Sequence, residues 1–270
     1  MTDKKHQHGK CKLTGDTGKL VKSHIIPDAF MQRTTDAPFM AIDTVSRPKK
    51  MFTGWYDANL VSRVGEDLLE DLDTYAAKVL KGNGLTSSIR RDKKNITDIK
   101  GDFSPSTFLS LDKIDTNKFK LFSLSLMWRA ATTSLPDFKS IKMSRIDTED
   151  IRYRMLSGDA GPFWQFPSYL SVFCNGQELP KCAPVKSQRS SFVRFFLDGV
   201  ILYVSSKRST LKRKEFEPVL IGRKKNSILI PCVSSLDSWH ANSSEEFAQQ
   251  TFLDHGDIFK GFAKSSSNVR

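Results

Sequence analysis

The sequence predicts an α+β protein, with a helical middle and an antiparallel, β-rich C-terminal part. The first observation is composition: 39% of the 270 residues are apolar, which is enough for a packed core. The second is a helical period of apolar residues over 64–80, ended by the Gly-Asn-Gly sequence at 82–84. The third is a change beyond Gly161 to short segments rich in β-branched and aromatic residues.

The N-terminal part, which we assign to residues 1–83, is expected to form a hairpin followed by a helix. Residues 1–22 are polar and basic, with glycine-containing turns, and predict a short β-hairpin. Ile25-Ile26 then predicts a buried stretch, and Pro27 is suited to the first turn of a helix. The periodic segment 64–80 predicts the main helix of this part.

The middle of the chain is expected to be an exposed connection followed by helices. Residues 84–118 are polar and charged, which is typical of a connection on the surface. We assign 119–160 to a helical segment. Within it, 119–133 is apolar enough for a buried helix, and 147–156 predicts a shorter helix with Thr148 as its N-cap.

The C-terminal part, residues 161–270, is expected to be an antiparallel β-sheet. Asp198-Gly199 lies between two strand-like segments and is typical of a tight hairpin turn. The predicted strands are 169–173, 192–197, 200–205 and 227–233.

The net charge suggests what the protein binds. The chain has 42 Lys+Arg against 30 Asp+Glu, a formal charge of +12, which indicates a polyanionic partner or an ordinary solvated surface. No window of about 18 apolar residues occurs, so we expect no membrane contact. The 4 cysteines are not closely paired, and the N-terminus lacks the apolar core of a secretory signal. We therefore expect a reducing cytoplasm as the compartment.

The string SHIIP at residues 23–27 points to chemistry. It would place His24 at the end of an apolar strand, next to a helix-opening proline. An imidazole suits a general base that activates water, because its reference pKa lies near neutral pH. The alternative is a half-buried histidine that only bonds a backbone carbonyl.

Three strings, in this order, resemble the core of HNH (ββα-metal) endonucleases: CKLTG at 11–15, KSHIIP at 22–27 and YDANL at 56–60. The set is most similar to a bacterial group with the SHIIP form of the motif, whose later helical segment resembles LFSLSLMWRA at 121–130. The resemblance covers about residues 10–156. It implies a ββα-metal-like unit at 1–83, cleavage of nucleic acid and, by association with the family, a role in phage defence.

The resemblance also implies the roles of individual residues. His24 would be the general base, and Asn59 would orient it or support the metal site. Glu66 falls at a metal-ligand position, with Asp57 or Asp67 as a second carboxylate. These ligands would hold one Mg²⁺ or Mn²⁺ together with water and phosphate oxygens.

The chain departs from the family pattern at its metal ligands. The family holds a structural zinc with two CxxC pairs, which supply four thiolates. Here Cys11 is a remnant, while Thr14, Ser62 and Gly65 stand at the other three positions. Ser23 stands where an acid usually precedes the histidine. We therefore expect that the structural zinc is lost and that packing of the helix replaces it.

Basic clusters are candidate contacts to a DNA or RNA backbone. Because aromatic residues are scarce among them, we expect contacts to phosphates rather than recognition of bases. The alternative for each cluster is a solvated face. The candidate residues are Lys49, Lys50, Arg90, Arg91, Lys212, Arg213 and Lys214.

Two further features leave alternatives open. Arg129 could reach a phosphate through its planar guanidinium, or pair with a buried acid and fix two helices together. Trp55 and Tyr56 could stack on a base or anchor a loop.

Three functional hypotheses follow, and they leave open whether the chain is an enzyme. The first is an HNH-like, metal-dependent endonuclease. The second is a catalytically degenerate module that binds nucleic acid without cutting it. The third is a structural subunit that meets a protein partner in a defence-type complex, through an exposed apolar patch of Phe163, Trp164 and Phe166.

Overall fold

The protein is α+β in a computed structural model that describes residues 8–31, 39–41, 49–51, 53–86, 108–173, 182–187, 190–208, 214–223 and 226–233. The α+β prediction is confirmed. The strands are β1 (His8–Lys10), β2 (Thr17–His24), β3 (Phe39–Ala41), β4 (Lys49–Met51), β5 (Tyr56–Ser62), β6 (Phe108–Asp112), β7 (Ser168–Phe173), β8 (Val185–Lys186), β9 (Phe192–Leu197), β10 (Val200–Ser205) and β11 (Ser227–Val233). The helices are α1 (Arg63–Gly82), α2 (Thr116–Thr132) and α3 (Arg145–Ser157).

An antiparallel sheet in the order β1-β2-β5 leads directly into α1. β1 and β2 form the predicted hairpin. The pairing of β2 with β5 shifts register between Val21 and Ser23, and beyond the shift Ser23 lies opposite Asp57 and His24 opposite Tyr56. A shift of this kind bends a strand and changes the direction of its side chains. It therefore determines where His24 points.

The predicted helix over 64–80 is confirmed as α1. Its buried residues recur at helical spacing, and they are Gly65, Leu69, Leu72, Ala76, Val79 and Leu80. Ser62 is its N-cap, and the Ser62 hydroxyl accepts a hydrogen bond from the backbone N–H of Gly65 at 3.5 Å. Pro27, by contrast, precedes only a short 3-10 turn at Asp28–Phe30.

α2 is the central helix of the molecule, and it packs against both α1 and α3. It begins at Thr116 rather than at residue 119, because Asp115 caps it by accepting a hydrogen bond from the Lys118 N–H at 2.9 Å. α3 begins at Arg145, and its N-cap is Ser144 rather than the predicted Thr148. Residues 119–130 are buried on every side of α2, so this helix is core rather than surface.

The C-terminal sheet has six strands, in the order β6-β11-β7-β10-β9-β8. The predicted hairpin of β9 and β10 is confirmed. Asp198 and Gly199 both have positive φ, 47° and 88°, as the hairpin turn requires. The sheet is not wholly antiparallel as expected, because β11 pairs with β7 in parallel.

The predicted exposed connection at 84–118 is wrong in part. Within it, β6 pairs antiparallel with β11, with Leu111 opposite Ile228. The sheet therefore combines a strand that precedes α2 with strands that follow α3. None of the helices in the described part of the chain is long and apolar enough to cross a membrane.

Candidate active site

His24 stands at the last position of β2, where its backbone is held from two sides. The carbonyl of His24 accepts a hydrogen bond from Arg129 Nη1 at 2.9 Å. The next amide, that of Ile25, donates to the Trp55 carbonyl at 2.8 Å. These contacts fix the backbone at His24, from which the imidazole projects.

The His24 ring is half-buried and makes no hydrogen bond with any residue that the structure describes. The alternative of a histidine that only satisfies a carbonyl therefore has no support in those residues. Burial lowers the pKa of His24 below its usual value, Asp28 opposes this, and Lys22 and Arg129 lower it further. The ring is neutral at neutral pH, which leaves a nitrogen lone pair to accept a proton.

Glu66 and Ser23 face each other on the buried side of β2, opposite the side on which His24 meets Tyr56. Glu66 lies in the first turn of α1, and burial raises the pKa of its carboxyl while the Ser23 hydroxyl partly offsets that rise. Yet Ser23 Oγ and Glu66 Oε2 are both buried, and neither makes a hydrogen bond of normal geometry with the residues described. Two buried oxygens without partners are uncommon, and they require an explanation.

Asp57, the second predicted metal ligand, is used inside the protein. It is 3% exposed. Its Oδ1 accepts the backbone N–H of Asn59 at 2.8 Å, and its Oδ2 accepts the Thr133 hydroxyl at 2.7 Å and the Ser134 N–H at 3.3 Å. These bonds fasten β5 to the end of α2, so Asp57 does not pair with Glu66 as expected.

Asn59 also differs from its predicted role. Its side chain is exposed where the register of β2 and β5 shifts, and no hydrogen bond joins it to His24 among the described contacts. Arg129 instead holds the backbone of His24, through its carbonyl.

The four positions of the expected zinc knuckle come together at the other end of the sheet. The Thr14 N–H donates to Cys11 Sγ at 3.4 Å, and a Cβ at Gly65 would come within 2.9 Å of the same sulfur. Burial raises the pKa of the Cys11 thiol, but hydrogen bonds with Ser62 and Thr14 outweigh it and lower the pKa to about 7. The four positions are therefore close together, with a single thiol among them.

Arg129 follows the structural alternative rather than the phosphate one. Its guanidinium is 1% exposed and binds Asp73 of α1 through two hydrogen bonds, of 2.6 and 2.8 Å. Asp73 was not among the candidate residues predicted from the sequence. It interrupts the apolar stripe of Leu69, Ala76 and Leu80, and an acid in such a stripe indicates a buried cationic partner.

Trp55 and Tyr56, which were predicted either to stack on a base or to anchor a loop, differ in their exposure. Trp55 is 3% exposed, donates from Nε1 to Asp137 Oδ2 at 2.8 Å and packs against Phe138, so it anchors a loop. Tyr56 is 39% exposed and lies beside His24, with ring centroids 6.4 Å apart.

The predicted nucleic-acid contacts fall mostly outside the described residues. Arg90, Arg91, Lys212 and Arg213 lie there, and Lys214 opens a short 3-10 helix whose first side chains are also outside. Lys49 and Lys50 belong to β4, which pairs with β3 as a separate ribbon. The β1–β2 hairpin carries Lys10, Lys12, Lys19 and Lys22, and of these Lys22 lies over the Tyr56 ring beside His24.

The predicted apolar patch for a protein partner is wrong in part. Phe166 is fully buried, and Phe163 is half-buried against the C-terminal core. Trp164 remains 40% exposed. A single exposed tryptophan is common on protein surfaces and does not make a contiguous patch.

Comparison of the chain with protein-family models, with curated proteins and with solved structures gives no match.

Proposed function

We propose that the chain is an HNH-like, divalent-cation-dependent endonuclease that hydrolyses nucleic-acid phosphodiesters, in a cytoplasmic compartment. One observation carries the proposal: the half-buried imidazole of His24, whose pKa is lowered chiefly by burial, makes no hydrogen bond with the described residues. A role in phage defence rests on the resemblance of the motifs alone.

In the proposed reaction His24 removes a proton from water as the water oxygen attacks phosphorus. A new P–O bond forms to the water oxygen, the bond to the leaving oxygen breaks, and the leaving oxygen takes a proton from solvent. A base of this kind works best when it is neutral at the working pH. The lowered pKa of His24 supports that assignment.

The residues at this end fit a hard divalent cation through Glu66 and Ser23. Their buried oxygens face each other without a hydrogen bond of normal geometry, and oxygen atoms are the ligands that Mg²⁺ and Mn²⁺ prefer. Among the residues described, no three His, Cys, Asp or Glu side chains group as a metal site, so water and phosphate oxygens would complete the coordination. When bound, such a cation would polarise the scissile phosphate.

The test is nicking of supercoiled plasmid with Mg²⁺ or Mn²⁺, and with EDTA as the metal-free control. Replacing His24 by Ala is expected to lower the rate about 100-fold or more. His8→Ala removes an exposed histidine on β1 and serves as the matched control. The proposal fails if wild type and His24→Ala are equally active or equally inert.

A second candidate is a catalytically degenerate module that binds the DNA or RNA backbone. The engagement of Asp57 by Thr133 and Ser134 favours it, because this carboxylate is then not available to join Glu66 at a metal. This candidate predicts binding that weakens steeply with salt, survives His24→Ala and falls when Lys212, Arg213 and Lys214 are neutralised. Binding that is indifferent to ionic strength would count against it.

A further inference from the structure

Lys22, His24 and Tyr56 form a row on the outer face of the β2–β5 pair. Lys22 Nζ lies 3.6 Å from the centroid of the Tyr56 ring, and the His24 ring meets the same tyrosine edge to face. His24 and Tyr56 are opposite each other in the ladder. The backbone register therefore holds the tyrosine beside the histidine.

This row offers the two groups that a nucleotide needs. Tyr56 is 39% exposed, and an exposed ring beside a cation gives a surface on which a base can stack. Lys22 is exposed and already held in place over the ring, so its ammonium can meet a phosphate with little loss of side-chain freedom. Trp55, the neighbouring aromatic residue, is buried and cannot take this part.

We propose that Lys22 and Tyr56 form a subsite for an unpaired nucleotide, with its base on Tyr56 and its phosphate at Lys22, next to the phosphate that faces His24. The subsite rests on the proposed function and names its substrate class, a single-stranded or locally unpaired nucleic acid. Bases inside a duplex are already stacked on their neighbours, so a ring of this kind selects strands whose bases are free.

The proposal is tested by fluorescence anisotropy in the His24→Ala background, with a labelled single strand and a hairpin duplex of the same sequence. We expect the single strand to bind more tightly. Tyr56→Ala should weaken its binding about 5- to 100-fold, while Tyr56→Phe keeps it. Tyr153→Ala removes an exposed tyrosine on α3 and is the matched control.

Lys22 is tested by the salt dependence of the same binding. Lys22→Ala should reduce the slope of log Kd against log salt by about 0.7, the value for one phosphate contact on a single strand. Lys142→Ala, at an exposed lysine outside the row, should leave the slope unchanged. Thermal unfolding of each variant identifies any loss of folding, and Tyr56→Phe keeps the ring contact measurable if Tyr56→Ala unfolds.

The proposal is overturned if Tyr56→Ala binds as tightly as Tyr153→Ala, or if the duplex binds more tightly than the single strand. These outcomes are distinct from failure of the endonuclease assignment. If Tyr56 and Lys22 govern binding but His24→Ala does not change nicking, the subsite stands and the catalytic role fails. If nicking depends on His24 but binding ignores Tyr56, only the subsite fails.

Discussion

The two ends of the β1-β2-β5 sheet differ in the side chains that they bring together. At one end Cys11, Thr14, Ser62 and Gly65 come together, with a single thiol among them. At the other end His24 has a half-buried imidazole whose pKa is lowered, chiefly by burial. A structural metal can be replaced by other contacts, whereas a proton acceptor has no substitute among apolar residues.

Hydrogen bonds with other parts of the chain hold the turn that contains Cys11. Lys12 Nζ donates to the Thr132 carbonyl at 2.8 Å, and Arg152 Nη1 donates to the Leu13 carbonyl at 2.7 Å. These bonds hold the Cys11 turn against α2 and α3. Ser62 caps α1. The geometry of the turn therefore persists without four ligands.

The largest expected effect is the restoration of a zinc site. The variant with Thr14→Cys, Ser62→Cys and Gly65→Cys is expected to bind about one equivalent of zinc, because four thiolates at this spacing form a tetrahedral site. The new Cβ at position 65 would come within 2.9 Å of Cys11 Sγ and 3.0 Å of Val61 Cβ, so the start of α1 must shift slightly to accept it. Zinc binding by the triple variant is measured by metal analysis and by the zinc dependence of its thermal unfolding.

The same substitutions with Cys11→Ser are the matched control, which removes one ligand of the four. If the triple variant folds but binds no zinc, the four positions are not a knuckle. The proposed difference between the Cys11 end and the His24 end of the sheet would then have no support.

The next largest effect is expected at Arg129, whose guanidinium binds the His24 carbonyl and the carboxylate of Asp73. Arg129→Ala leaves Asp73 without its partner and is expected to lower the free energy of unfolding by about 3–5 kcal/mol. Lys118→Ala breaks a second ion pair between the same two helices, with side chains 30% and 68% exposed, and should cost only about 0–1 kcal/mol. Urea unfolding of both variants makes the comparison, and equal losses would contradict it.

The smallest effect is the pH dependence of Glu66. Burial raises its pKa in the folded protein, so ionised Glu66 destabilises the fold at neutral pH. Glu66→Gln is therefore expected to be more stable than wild type at neutral pH. The difference should vanish as the pH falls below the pKa of the unfolded carboxyl, about 4.3.

Urea unfolding at several pH values measures this difference. Glu70→Gln, at an exposed position one turn further along α1, should change the stability by no more than about 1 kcal/mol. If Glu66→Gln destabilises the protein at neutral pH, the carboxylate is engaged in a way that the described contacts do not contain.

Local patterns in the sequence predicted local structure well. The bounds of β9, β10 and β11 agree with the predicted 192–197, 200–205 and 227–233, because alternation and turn residues act over a few positions. The place of β6 could not be predicted in this way. Its partner, β11, lies more than a hundred residues away, and nothing in residues 108–112 specifies it.

The same distinction between local patterns and contacts over long sequence distances applies to the candidate site. His24 and Glu66 could be named from their motifs, since strand ends and first helical turns are local features. The engagement of Asp57 by Thr133 depends on where α2 ends in space, and no spacing in the sequence encodes it. Lys22 was missed because its contact with Tyr56 crosses between two strands.

The most direct test of the difference between the two ends is the initial rate of Mn²⁺-dependent plasmid nicking by His24→Ala and by Cys11→Ser, each relative to wild type. The account predicts that His24→Ala loses about 100-fold or more of the rate and that Cys11→Ser keeps it. Equal rates for His24→Ala and wild type, or a loss confined to Cys11→Ser, would contradict it.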